Sequence, residues 1–322
     1  MKGLIVDNNN PNNPRLVQSE VPTPRAGCGE LLVRVEMAGL NRADLVLPKD
    51  HYAANEVGGS ELAGEVVEVG ADCSGFAVGD RVLALSRGSH AEFACVDHRI
   101  AVHVPDGIDW QVAAALPAWY MTAHDALITN GELNAGETVL IQGITSGVGQ
   151  AAAQLARLRG ARSVIGVARS GPKLNLLTND EVDHRLLSDS DWPAAVREIT
   201  DGRGVDLVID MVGGSALGGN LDSLALRGRM VAVGRLGGAT DTLDLGMLAF
   251  KRARLIGVTF RSRDIDEKVA IARAFAAGVL PHVVSGRIRP RTDRIFSLAE
   301  AGIAQNLMRR NDHFGKVLLA IR

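Results

Sequence analysis

Two kinds of hydrophobic periodicity divide the chain. Up to about Pro117 the apolar residues fall in short runs, LLVRVEMAGL, ELAGEVVEVG, GDRVLAL and HAEFACVDHRIAVHV, punctuated by Gly, Pro, Asp and Asn. Closely spaced runs of this kind predict an antiparallel β-rich domain. From Ala118 to about Phe260 near-continuous apolar runs alternate instead with helical patterns. The runs at 138–142, 163–167, 206–210, 230–234 and 254–258 have the character of strands buried on both faces. After the first of them, Val148, Ala151, Ala152, Leu155 and Leu158 follow i, i+3, i+4 steps and make one apolar stripe. The alternation predicts a doubly wound parallel sheet. A helical segment at 264–277 then leads to a β-like tail ending at 316–321, closer in character to the first part than to the middle. The expected organisation is a domain made of 1–117 and 265–322, with a second domain, 118–264, inserted into it. There is no internal repeat, and the Asn-rich segment 8–13 reads as a polar loop.

Length agrees with two cores, since 322 residues exceed the usual single-core limit of about 250–300. No apolar stretch approaches the roughly 20 residues a membrane-spanning helix needs, so no membrane partner is expected. The opening MKGLIVDNNNPNNPRL lacks the apolar segment of a secretion signal, and three cysteines, Cys28, Cys73 and Cys95, show no framework spacing. Both features predict a cytoplasmic protein. A net charge of −2 with acids and bases interspersed offers no basic face, so nucleic acid is not an expected partner.

The segment VLIQGITSGVGQAAAQLARLRG reads as strand, glycine-bearing turn and helix, the arrangement that brings backbone N–H groups at a helix start against a pyrophosphate. Its contact residues are Thr145, Ser146, Gly147, Val148 and Gly149; counted from Ile144, the segment keeps one of the three glycines of G-x-G-x-x-G. Four further strands end in residues suited to a crevice at the carboxyl ends of a parallel sheet: Ala168, Arg169 and Ser170; Val212 and Gly213; Gly234 and Arg235; Phe260 and Arg261. An NAD site usually places Asp or Glu at the second strand's end to hold the ribose 2′-hydroxyl. Here Arg169, Ser170 and Lys173 stand there instead, which favours a 2′-phosphate and therefore NADPH.

Several segments together resemble the zeta-crystallin-like quinone oxidoreductases, a zinc-independent branch of the medium-chain dehydrogenase/reductase superfamily. They are GLNRADL, GGSELAGEVVEVG, GDRVLAL, AALPAWYMTAHDAL, SGVGQAAAQLA, GVDLVIDMVGG, GRMVAVG and HFGKVLL, in order along nearly the whole chain. The resemblance implies an α/β protein with a GroES-like β-rich catalytic domain and an inserted Rossmann domain, NADPH as cofactor, and a homodimer. Related alcohol dehydrogenases carry a zinc-binding Cys and His where this chain has Asn41 and Ser60, and the four cysteines of a structural zinc lobe are absent too, so no metal is expected. His90, Cys95 and His98 read as packing residues. Two departures stand out: HRLLSDS offers Ser188 where the family has a Tyr near the adenosine phosphate, and the loop from Tyr52 to Gly58 and Gly59 is short.

Without zinc, charge developing on a substrate oxygen must be met by hydrogen-bond donors, which suffices for activated acceptors. The expected substrate is accordingly a small quinone or an α,β-unsaturated carbonyl compound. Tyr52 matches a family tyrosine and reads as proton donor or as an aromatic lid, whereas Tyr120, in an apolar run, reads as a packing residue. Asn41 and Asp44 resemble residues that face nicotinamide and substrate, or form an Asx turn. Thr122, Arg261 and Lys316 are carried over as cofactor contacts. Two other readings remain open at this stage: an enoyl thioester reductase of fatty-acid or polyketide type, and a cofactor-binding structural or RNA-interacting protein.

Overall fold

The computed structural model describes residues 1–7, 15–45 and 56–322. They form two compact units, Met1–Ala118 with Ile265–Arg322, and Trp119–Asp264.

The first unit begins with a two-stranded antiparallel ribbon, β1 (Lys2–Asp7) and β2 (Arg15–Glu20). Then come β3 (Glu30–Leu40), β4 (Leu62–Val69), β5 (Arg81–Ala84), β6 (Phe93–Asp97) and β7 (Val102–His103). β3 organises the sheet, pairing antiparallel with both β4 and β6. Its alternation buries Leu31, Val33 and Val35 completely, against Leu62, Val66 and Val82. Each such side chain removed from water contributes roughly 1.5–3 kcal/mol. Two register shifts along the β3–β4 ladder, at Leu32/Val33 and Val35/Met37, bend the strand so that its end meets the start of β4.

The second unit is a six-stranded parallel sheet built from β8 (Thr138–Gln142), β9 (Ser163–Ala168), β10 (His184–Leu187), β11 (Val205–Asp210), β12 (Leu224–Ala232) and β13 (Arg254–Gly257). Their spatial order is β10-β9-β8-β11-β12-β13. The order reverses between β8 and β11, which makes the carboxyl ends of these two strands the switch point where a doubly wound sheet binds its ligand. Leu140, Ile165, Val167 and Val208 form the core of this sheet. β10 was not among the expected strands: as an edge strand it is only partly buried, and HRLL carries no continuous apolar run. β12 begins at Leu224, well before the expected 230, because a bulge opposite Val205 and Leu207 takes up the extra residues around polar Arg227, which has φ +64°.

The chain then returns to the first unit through the helix Ile265–Gly278, followed by β14 (Thr292–Ser297) and β15 (Lys316–Ala320). β15 pairs antiparallel with the end of β3, and β14 runs parallel to β15 at the sheet's edge. The β-like tail thus completes the sheet begun near the N-terminus. Among the described residues no helix is long and apolar enough to cross a membrane.

Candidate active site

At the switch point of the second unit, the backbone leaves β8 at Gly143 with φ +68°, a left-handed conformation that favours glycine. The Gly143 N–H donates to the Val167 carbonyl at 2.9 Å. Ser146 caps the twelve-residue helix Gly147–Leu158, its Oγ accepting the Gly149 N–H at 3.1 Å. The first N–H groups, of Gly147 and Val148, have no intrahelical acceptor and are available to an anion. A Cβ at Gly149 would lie 2.5 Å from the Gly143 carbonyl oxygen, and one at Gly147 1.8 Å from the Trp119 ring. The working glycines are therefore Gly143, Gly147 and Gly149, of which an alignment counted from Ile144 keeps only the last.

Neighbouring strand ends are tied to this turn. Asp210, fully buried, accepts from the N–H groups of Val212 at 2.7 Å and Gly213 at 3.1 Å, and from Asn220 Nδ2 at 3.1 Å. Asn220 Oδ1 in turn accepts from Gln142 Nε2 at 2.9 Å, joining the ends of β8 and β11. Burial pushes the Asp210 carboxyl above its ordinary value. Gly213, at φ +62°, bridges to Gly238, and the Gly237 N–H donates to the Val212 carbonyl at 2.7 Å, so that the loop carrying Gly234 and Arg235 lies beside Val212 and Gly213. At the end of β9, Ala168 is buried, Arg169 is exposed and Ser170 caps the short helix Gly171–Leu174, which includes Lys173. Ser188 donates its N–H to the Ala168 carbonyl at 3.0 Å, so it stands close to Arg169. Beyond β13, the Arg263 guanidinium lies over the Phe260 ring and is held by buried Asp125 at 2.7 Å, one helical turn after Thr122. Arg261 is exposed.

The first unit contributes a separate polar cluster. Asn41 Nδ2 donates to Glu61 Oε1 at 2.7 Å and to Ser60 Oγ at 3.2 Å. Lys316 Nζ donates to Asn41 Oδ1 at 2.7 Å and also to Glu61 Oε1, and Glu61 Oε2 accepts the Ala118 N–H at 2.7 Å. Neither Glu61 nor Lys316 exposes any side-chain surface. A dry ion pair persists only when further hydrogen bonds meet its remaining valences, as Asn41 and Ala118 do here; removing one partner of such a pair typically costs about 3–5 kcal/mol. Gly39 is part of the device, since a Cβ there would lie 2.1 Å from Glu61 Oε1. Sequence reading missed Glu61, although an acid opening an apolar strand run is a legible signal of a buried partner. Lys316, expected as a cofactor contact, lies inside this cluster.

Asp44 sits beneath Asn41, its Oδ2 accepting the Asn41 N–H at 2.7 Å, as an Asx turn would have it. Its side chain is buried, and burial raises the carboxyl's pKa, with Glu61 adding to the effect against the opposing pull of His90 and the hydrogen bonds of Asn41 and Ser60. His90 is also buried, with Nε2 3.1 Å from the Gly39 carbonyl oxygen. Tyr120 is buried and donates to Gln154 at 3.0 Å, a packing role. Tyr52 lies outside the described residues.

Family models match the chain in two places: "Alcohol dehydrogenase GroES-like domain" over residues 27–106 and "Zinc-binding dehydrogenase" over 147–276. A probable oxidoreductase from Mycobacterium abscessus superposes with a TM-score of 0.82 at 31% identity, covering 99% of both chains. The chain belongs to the medium-chain dehydrogenase/reductase superfamily. Within this superfamily, a quinone oxidoreductase from Pseudomonas syringae is similar with a TM-score of 0.89 at 26% identity, covering 99% of this chain and 100% of that one. A mycobacterial protein solved in complex with NADPH gives a TM-score of 0.88 at 28% identity, with coverage of 99% and 100%. Among curated relatives, erythronolide synthase from Saccharopolyspora erythraea is 36% identical over 90% of this chain, which spans only 8% of that protein's length. A phenolphthiocerol/phthiocerol polyketide synthase of Mycobacterium tuberculosis is 32% identical over 94% of this chain, which spans 14% of it.

One of these family descriptions implies zinc, and the residues of this medium-chain dehydrogenase/reductase do not fit it. Zinc takes thiolate, imidazole or carboxylate donors. At the corresponding positions stand an amide, Asn41, whose oxygen already accepts from an ammonium group, and a hydroxyl, Ser60. His90, Cys95 and His98 each bond a different backbone carbonyl, of Gly39, Arg25 and Gly29 respectively. Burial pushes the Cys95 thiol up to about 11, away from the thiolate form a metal needs.

Proposed function

We propose that this chain is an NADPH-dependent reductase that acts without zinc on quinones or on carbon–carbon double bonds conjugated to a carbonyl group. The observation that carries the reading is the Asn41–Glu61–Lys316 cluster, which fills the place of a zinc site with a satisfied ion pair and leaves no Lewis acid to polarise an unactivated alcohol or ketone. Bound NADPH supplies hydride to an electron-poor carbon. The chain's residues hold the dinucleotide and meet the charge that develops.

The pyrophosphate is assigned to the start of the helix Gly147–Leu158, with Thr145, Ser146, Gly147, Val148 and Gly149 around it. The 2′-phosphate is assigned to Arg169, Ser170 and Lys173, with Ser188 in place of the family tyrosine. Arg169 is exposed and pairs with no carboxylate among the described residues, so its guanidinium is open to a phosphate. Ala168, Val212, Gly213, Gly234, Arg235, Phe260, Arg261 and Thr122 are assigned to the rest of the cofactor. Asn41, rigidly held on both its amide atoms, forms the floor of the substrate site, and Tyr52 is assigned as oxyanion donor. A homodimer in the cytoplasm belongs to the same proposal, and the open edge of β13 with exposed Leu255 suits pairing with a second copy.

A second reading, reduction of an α,β-unsaturated thioester, is favoured by the similarity to segments of polyketide synthases. Steady-state rates with a naphthoquinone and with a crotonyl thioester separate the two. The first reading expects the quinone to be the better substrate by kcat/KM; preference for the thioester replaces it with the second.

A further inference from the structure

We infer that Asp210 sets the redox balance of the bound cofactor: its fixed carboxylate, on the nicotinamide side of the crevice, favours NADP⁺ over NADPH and with it the release of hydride. The inference rests on the NADPH reading above and adds a residue that reading does not use.

Two carboxylates of the second unit are buried among the described residues, Asp125 and Asp210. Asp125 is paired with Arg263 at 2.7 Å. Asp210 has no cationic partner among the described residues: the N–H groups of Val212 and Gly213 donate to Oδ1 at 2.7 and 3.1 Å, and Asn220 Nδ2 donates to Oδ2 at 3.1 Å. All three partners are N–H donors, which is how a carboxylate is bound. A buried charge without a counter-ion is costly. An amide of the same shape would hold the same loop without that cost, so the charge itself calls for a role.

Its place in the sheet supplies one. Asp210 ends β11, the first strand past the switch point. Each half of a doubly wound sheet takes one mononucleotide. With the 2′-phosphate assigned to the end of β9, the adenosine belongs to the half made of β8, β9 and β10, and the nicotinamide to the half that β11 begins. Asp210 also fixes the rim of that half, since its carbonyl oxygen accepts the N–H groups of Val233 at 2.8 Å and Gly234 at 3.1 Å. The carboxylate cannot swing away. Gly213 and Gly214, at φ +62° and +53°, pass so close to the neighbouring loop that a Cβ on either would lie 2.8 Å from a carbonyl oxygen of Gly238 or Gly237. On the other side Gln142 Nε2 holds Asn220 Oδ1 at 2.9 Å.

Transfer of hydride, with its electron pair, from the dihydronicotinamide to the electron-poor substrate carbon oxidises the ring to a pyridinium cation and reduces the substrate, which takes a proton from water. A positive charge thus appears on the ring in that step, and a preorganised carboxylate in a water-poor site stabilises it. The neutral dihydronicotinamide gains no such stabilisation. The phosphates carry the same charge in both oxidation states, so the ratio of the two affinities isolates the ring.

The test measures dissociation constants of NADP⁺ and NADPH for the whole chain by titration calorimetry. Asp210→Asn removes the charge and keeps the shape: the new amide oxygen can accept the two backbone N–H groups, and the amides of Asn220 and Gln142 can turn over to receive its NH₂. NADP⁺ should then bind roughly tenfold more weakly, the scale of one unit charge acting through an effective dielectric of about 20, with NADPH binding little changed. Equal changes for both cofactors, or none, overturn the inference and leave the cofactor reading intact. If Asp210→Asn does not fold, wild type carries the test, comparing NADP⁺ with the analogue in which a neutral benzamide ring replaces the nicotinamide cation. The analogue should bind roughly tenfold more weakly, and equal affinity overturns the inference. Failure of wild type to bind NADPH at all overturns the cofactor reading and takes this inference with it.

Discussion

In the proposed function Arg169 is assigned the cofactor preference, because it stands at the end of β9 where an NAD site would place an acid. A charge-assisted hydrogen bond contributes roughly 1.5–3 kcal/mol. Arg169→Asp is therefore expected to weaken NADPH binding by about tenfold to a hundredfold while changing NADH binding little, as read by fluorescence titration; equal effects on both would remove Arg169 from the site. Asp44 gives a prediction in pH. Burial raises its pKa in the folded chain, so the folded state holds that proton at pH values where the unfolded state has released it. Folding stability then falls as pH rises from the ordinary carboxylate value of about 3.9 through the raised one, and is constant beyond it. Relative to Asp44→Asn, wild type should lose stability across that interval in urea titrations, and parallel curves would contradict a raised pKa. At this scale the sequence showed the residue types that replace zinc ligands but not their bonding. Asn41 was legible as an exception to a Cys, whereas the Lys316–Glu61 pair joins positions far apart in the chain, which the pairing of β3 with both β4 and β15 brings together.

At the scale of elements, the strands buried on both faces were legible because unbroken apolar runs leave little else for them to be. β10 was not, since an edge strand needs no such run, and neither was the start of β12, where a bulge breaks the pattern. The glycine turn was legible as a type and misread in its count. Gly147 is required by the Trp119 ring packed over it, a contact with no sequence signature. Gly147→Ala should accordingly lower stability by about 1–3 kcal/mol through overpacking and weaken NADPH binding as well. Thermal denaturation and titration together test this, and a variant unchanged in both would show that the helix start is not so confined.

For the whole molecule, the return of β-like character at the C-terminus was enough to expect an inserted parallel-sheet domain, and the sheet order of each unit follows from that topology. Substrate identity is not written in the same way, because it depends on pocket shape and on positions, Tyr52 among them, that lie outside the described residues. The central claim remains that hydride chemistry proceeds here on activated acceptors with a buried ammonium–carboxylate–amide cluster in place of zinc. The most direct measurement is NADPH oxidation with a panel of quinones, enones and simple ketones, before and after exhaustive treatment with a zinc chelator. The account predicts turnover of quinones or enones that the chelator leaves unchanged, with simple ketones inert. Turnover that is lost on chelation and restored by added zinc would contradict it.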